Sequence, residues 1–205
     1  MWHSNKKDKK PEDGVDSPST SDDSSKNRVE SLNNKIYFYS EVTRPKILTL
    51  NKKIATLNIS LANQANALAL AEPQASIWLH INSYGGSVFA GMAAVDYIKQ
   101  SDVPIISVID GCAASAATLM SIVANSRLIH EHSFMLIHQL SSACWGTFEE
   151  MKDDMANNEL LMGSIKSIYS KYTKIPKKKM DDILKHDLWW DAKTCLEYGL
   201  VDDII

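Results

Sequence analysis

Ser115, His138 and Asp187, with the glycine pair Gly85-Gly86 ahead of them, are residue types that together could carry out acyl transfer. A serine hydroxyl attacks a carbonyl only when a base takes its proton, and a carboxylate must orient that base and stabilise its charge. The tetrahedral oxyanion then needs preorganised N–H donors, which the Gly85-Gly86 pair and the residue after the serine, Ala116, can supply. Each piece alone has a plainer reading. Ser115 lies in Gly111-Cys112-Ala113-Ala114-Ser115-Ala116, between an apolar run and a small-residue helix, and a core serine bonding its own backbone fits there too. Gly85-Gly86 directly after a strand also reads as a tight turn into the next helix.

The elements that must position these residues follow from periodicity. Short apolar or β-branched runs predict strands at 36–39, 77–81, 105–109, 127–130 and 134–138. Apolar residues recurring every three or four positions predict a helix over 47–71, ended by Glu72-Pro73, and another over 87–100. A segment rich in helix formers, 113–123, contains Ser115. A long helix over 146–174 carries capping character at Thr147 and Glu150. A helix over 177–184 with Lys177-Lys178-Lys179 as its solvated start, a loop or short strand at 187–190 and a last helix from Asp191, capped by Gly199, complete the chain. Strands alternating with helices imply an α/β fold with a largely parallel sheet. Gly85-Gly86, Ser115 and His138 then fall at the carboxyl ends of strands, where such sheets place their sites, and Asp187 on a later loop.

Composition narrows the classes. The chain has 205 residues, 44% of them hydrophobic and 23% charged, enough for one domain with a substantial core. A net charge of −3 gives no reason to expect nucleic acid as a partner, and no apolar run is long enough to span a membrane. Cys112, Cys144 and Cys195 form no metal pattern and read as free thiols in a reducing compartment, so neither metal nor other cofactor is expected. Residues 1–32 are rich in Ser, Asp, Lys, Asn and Pro, which predicts a disordered polar tail ahead of a single domain over 33–205.

Five ordered motifs carry a resemblance. They are Ile81-Asn82-Ser83-Tyr84-Gly85-Gly86, Gly91-Met92, Gly111 to Ser115 with two alanines before the serine, Met135-Leu136-Ile137-His138-Gln139, and Glu197-Tyr198-Gly199-Leu200-Val201-Asp202. In this order and spacing the chain resembles, from about residue 35 to its end, the proteolytic subunit of the ATP-dependent Clp protease. The resemblance implies a crotonase-like spiral of βαβ units with a protruding handle helix, here 146–174. It implies Ser115 as nucleophile, His138 as general base, Asp187 as its partner, and the N–H groups of Gly86 and Ala116 as the oxyanion hole. It implies a homo-oligomer of two stacked seven-membered rings that cleaves peptides and unfolded proteins, with large substrates fed by an AAA+ unfoldase in the cytoplasm. Trp78 and His80 match positions where the family receives its unfoldase.

The chain departs from that pattern in places. Tyr84 stands where the family usually has proline, 140–145 replaces a Pro-Leu-Gly-Gly run, and His186 replaces a basic residue before the aspartate. Residues 1–34 contain no counterpart of the family's pore-lining segment. Three rival readings accompany the leading one: a catalytically silent ring subunit, an acyl-CoA enzyme on the same fold, and a viral shell-maturation protease working without an unfoldase. The presence of all three candidate triad residues speaks against the first. For His80, His130, His132 and His186, surface or core roles are expected, and for Trp189-Trp190 a place in the core or an interface.

Overall fold

The computed structural model describes residues 28–71, 73 and 75–205. The expected disorder of the tail concerns, over residues 1–27, a stretch outside the described residues. Residues 28–32 differ from that expectation. They form strand β1 (Arg28–Leu32), paired antiparallel with β2 (Lys35–Tyr39) through a two-residue turn in which Asn33 has φ 52°. Asparagine tolerates that left-handed conformation, so the turn suits a hairpin. Only Val29 of β1 is buried, which is why its composition reads as tail rather than strand.

Helix α1 (Arg44–Ala67) begins three residues earlier than its apolar pattern suggests, because Pro45 sits in the first turn, where its fixed φ suits a helix and its missing N–H costs nothing. It buries Ile47, Leu50, Ile54, Leu61 and Ala65. Strand β3 (Ile77–Ser83) alternates strictly, with Ile77, Leu79, Ile81 and Ser83 buried and Trp78, His80 and Asn82 half-buried on its other face. Ser87 caps helix α2 (Val88–Lys99) by accepting from the Ala90 N–H. Strands β2, β3 and β4 (Ile105–Ala114) run parallel, and β5 (Ser126–Ile129) and β8 (Asp203–Ile204) continue the sheet in the same direction. The order is β1-β2-β3-β4-β5-β8. This alternating α/β architecture bears out the expected fold class.

Strand β4 is twice the expected length, and that decides where the site lies. Its first half pairs with β5, whereas Cys112, Ala113 and Ala114 pair with β6 (Phe134–Leu136). The change of partner occurs at Gly111, whose φ is 80°. Strand β6 in turn pairs antiparallel with β7 (Trp189–Asp191), so of the loop or short strand expected around 187–190 the structure forms the strand. Helix α3 (Ala116–Ile122) follows β4, and the long helix α4 (Phe148–Tyr172) opens with the expected capping box between Thr147 and Glu150. Helices α5 (Lys177–Leu184) and α6 (Ala192–Glu197) flank β7.

Arg127 locks the carboxyl-terminal elements together. Its guanidinium donates to Tyr172 O at 2.5 Å, to Gly199 O at 2.8 Å and to both carboxylate oxygens of Asp202. The hydrogen bond from Arg127 holds the Asp202 carboxyl below its ordinary value. A carboxylate with a depressed folded pKa contributes stability above its unfolded pKa and loses it as pH falls through the folded one. Asp202→Asn should therefore lower the melting temperature at pH 7. The gap to the parent should close as pH drops below about 4, the ordinary aspartate range. Thermal melts of both proteins from neutral to acid check this, and a gap independent of pH would count against it.

Candidate active site

Ser115 occupies a sharp strand-to-helix junction. It is the N-cap of α3, with φ 55° and ψ −127°, a conformation that non-glycine residues rarely adopt. The neighbouring strand helps hold it there, because the Ser115 N–H donates to Leu136 O at 2.8 Å. The junction is also crowded by the glycine turn after β3. A Cβ at Gly85 would stand 2.6 Å from Ala114 O and 2.7 Å from Ser115 Cβ, and one at Gly86 would stand 2.5 Å from Val42 O. Both glycines have positive φ, so close approach and backbone conformation each require the missing side chain. Strand β3 supplies the turn, and the Val42–Gly86 bridge pins it from the far side.

The registers of β6 explain why His138 and Asp187 meet. In the antiparallel pair Leu136 faces Trp189, so two residues further along one strand and two back along the other bring His138 opposite Asp187. Their side chains join at 2.9 Å, His138 Nδ1 to Asp187 Oδ1. The carboxylate is largely in solvent, with a side-chain exposure of 76% against 24% for the imidazole. With Nδ1 engaged, Nε2 is the histidine nitrogen left to serve the cavity.

That cavity, about 220 Å³, is lined by Ser115, His138, Gly86 and Ala116, with apolar walls that include Leu119 and Ile165. Four of the five residues expected to act together therefore border one space, and the fifth, Asp187, is bonded to one of them. Ala116 is the first residue of α3, and the opening N–H groups of a helix have no intrahelical acceptor. Tyr84 also lines the cavity, and its ring meets Trp189 edge-on with centres 6.3 Å apart. Trp78 and His80 lie elsewhere, on the half-buried face of β3 opposite Ile77, Leu79 and Ile81.

Three features escaped the sequence. His80 and His130 do not stand apart: His80 Nδ1 lies 2.9 Å and His130 Nε2 3.2 Å from the Asp110 carboxylate, which also accepts from Tyr39 OH at 2.7 Å. Strand pairing brings these together, since His80 is opposite Val108 in the β3–β4 register. Among the described residues no group of three His, Cys, Asp or Glu could hold a metal ion. The antiparallel pairing of β7 with β6 had no signal in the sequence. The third feature is a buried bond between Thr118 and Tyr169, which only the approach of α3 and α4 creates. Of the two tryptophans, Trp190 packs on Tyr198 with ring centres 4.7 Å apart, whereas Trp189 is 44% exposed.

A serine on a strand-to-helix turn with positive φ, a glycine turn beside it and a histidine paired with a carboxylate are thus gathered at one cavity of an α/β protein. The model of the family described as Clp protease matches residues 30–205. The chain is 25% identical over 170 residues to the ATP-dependent Clp protease proteolytic subunit of Deinococcus radiodurans, covering 82% of this chain and 83% of the relative. It is 33% identical over 142 residues to the ATP-dependent Clp protease proteolytic subunit 1 of Chlamydia caviae, covering 67% and 74%. Subunit 3 of Rhodococcus jostii is 31% identical over 140 residues, covering 67% and 69%. The chain belongs to the Clp protease family. Among the described residues no helix is long and apolar enough to cross a membrane.

Proposed function

We propose that this chain is a serine endopeptidase, the proteolytic subunit of a Clp-type compartmental protease. The observation that carries this reading is the His138–Asp187 pair at 2.9 Å, with its histidine on the cavity that Ser115 also lines. In the proposed mechanism His138 Nε2 takes the Ser115 proton as Oγ attacks the peptide carbonyl. The Gly86 and Ala116 N–H groups receive the oxyanion, and His138 then protonates the leaving amine. Water repeats the sequence on the acyl-enzyme. Asp187 holds the imidazole proton on Nδ1 and stabilises the imidazolium. The apolar walls at Leu119 and Ile165 suit an apolar substrate side chain next to the scissile bond. No metal or other cofactor enters this scheme.

The family relatives support a ring assembly, which we take to be a homo-oligomer of two stacked seven-membered rings, located in the cytoplasm and served by an AAA+ unfoldase. Its substrates are peptides and unfolded proteins; nucleic acid and membrane have no place in this reading. The viral, unfoldase-free protease and the silent subunit are the outcomes it must exclude. A fluorophosphonate probe tests the core claim. Labelling confined to Ser115, in a particle of ring size that also cleaves a fluorogenic peptide, is expected; an unlabelled protein without peptidase activity would overturn it.

In this reading the unfoldase docks at Trp78 and His80. Trp78 is half-buried on the open face of β3, and His80 stacks on Tyr37 with ring centres 4.9 Å apart, so both belong to one aromatic surface. Trp78→Ala is expected to slow unfoldase-dependent degradation of a folded protein about tenfold, an effect of hot-spot size, while sparing cleavage of a small peptide. Equal loss of both activities would instead mean that Trp78 serves the sheet.

A further inference from the structure

The long helix α4 buries only two of its 25 residues, Ile165 and Tyr169. Tyr169 is 2% exposed, and its hydroxyl lies 2.5 Å from Thr118 Oγ1. Thr118, fully buried on α3, has its Oγ1 2.6 Å from Ser115 O. The direction of both bonds is determined. A carbonyl oxygen only accepts, so the single Thr118 hydroxyl proton goes to Ser115 O, and Tyr169 must donate to Thr118. Burial pushes the Tyr169 phenol well up, so the hydroxyl keeps the proton that this chain uses.

The carbonyl held in this way belongs to the same rigid peptide plane as the Ala116 N–H, and in a trans peptide the two point in opposite directions. Fixing Ser115 O therefore aims the Ala116 N–H. That plane follows a residue at φ 55°, a conformation with little intrinsic preference for a non-glycine side chain, so its orientation depends on outside anchors. The Thr118 N–H, 3.0 Å from the same oxygen, is one anchor and the hydroxyl is the other. Apolar packing does not call for a hydroxyl at position 169, because Ile165 and Leu119, which line the cavity with it, are both apolar.

We propose that Tyr169 is a positioning residue which, through Thr118, orients the Ala116 N–H as oxyanion donor and so ties the long helix to the nucleophile turn. The inference rests on the serine peptidase reading above and adds two residues to it. It follows that the position of α4, most of whose residues are exposed, is read at Ser115 through this polar contact. A donor aimed at developing charge acts on the transition state more than on bound substrate, so the effect belongs in kcat.

Tyr169→Phe makes a clean test. It removes the phenol oxygen and its proton yet leaves Thr118 still able to donate to Ser115 O, so no buried donor is orphaned. With a fluorogenic peptide, kcat should fall roughly tenfold, less than the 10²- to 10³-fold cost of deleting an oxyanion donor, while KM stays within about twofold. The rate of fluorophosphonate labelling at Ser115 should fall in parallel. Amide exchange of the segment 114–118 should rise at unchanged particle size. Thr118→Ser, which keeps the hydroxyl, should retain activity, and Thr118→Val should lose at least as much as Tyr169→Phe. The double variant should be no worse than Thr118→Val alone. If Tyr169→Phe does not fold, the contrast between Thr118→Ser and Thr118→Val decides. An unchanged kcat, or a raised KM with kcat intact, overturns the inference while the parent protein, labelled and active, leaves the peptidase reading standing. A parent protein neither labelled nor active removes that reading and this inference with it.

Discussion

Ser115→Ala is expected to lower peptide turnover by on the order of 10³-fold or more, with fold and assembly intact. The size follows from chemistry. Alanine leaves the cavity, the N–H groups at Gly86 and Ala116 and the His138–Asp187 pair in place, so what remains is the residual acceleration by binding and oxyanion stabilisation. The fold should tolerate the change because the Ser115 backbone is held by its own N–H and carbonyl bonds, to Leu136 O and from Thr118. A methyl side chain occupies the same conformation without a hydroxyl to satisfy. Active-site titration, peptide kinetics and particle size on matched preparations measure this. Peptidase activity retained by the Ser115→Ala protein would end the serine mechanism.

The second large effect is expected at Asp187. Asp187→Asn should reduce kcat by roughly 10²-fold or more, with KM little changed. An asparagine amide can turn its NH₂ toward His138 Nδ1 and stabilise the tautomer with the proton on Nε2, which cannot take the serine proton. Loss of the negative charge also removes support for the imidazolium. The loss should stay below that of Ser115→Ala, because the carboxylate is 76% exposed and water screens its field. A less than threefold change would mark the pair as an ordinary exposed ion pair, and the carboxyl would leave the mechanism. Peptide kinetics with fluorophosphonate labelling of the same samples separates the two, since a wrong tautomer slows both.

The residue types and their order reveal a good deal by themselves. Alternating apolar runs and helical periodicities are local properties, so the strands around 36–39, 77–81 and 105–109 and the helices led by Ile47, Ser87 and Thr147 are legible without any contact. Ser115, His138 and Asp187 stand out as candidates too, because the five motifs around them keep their order and spacing. Local signals also mislead where one residue changes an element. Val29 is the sole buried side chain of β1, so a pattern of polar residues concealed a paired strand. Pro45 precedes the apolar repeat that predicts a helix from 47 and proves to lie in that helix's first turn.

Pairing between distant segments was decided only by the tertiary structure. The chain order says nothing about β4 leaving β5 for β6 at Gly111, yet that switch sets Ser115 beside the strand that carries His138. The antiparallel β6–β7 register then brings Asp187 opposite His138, from three-residue strands too short to show a period. The Asp110 cluster with His80 and His130 and the Thr118–Tyr169 bond arise in the same way, between residues 20 to 51 positions apart. Hydrogen bonds and ion pairs depend on separations of a few ångströms. Sequence specifies such separations within one element, through its fixed rise and periodicity. Between elements they exist only after the sheet has chosen its neighbours and the helices have packed.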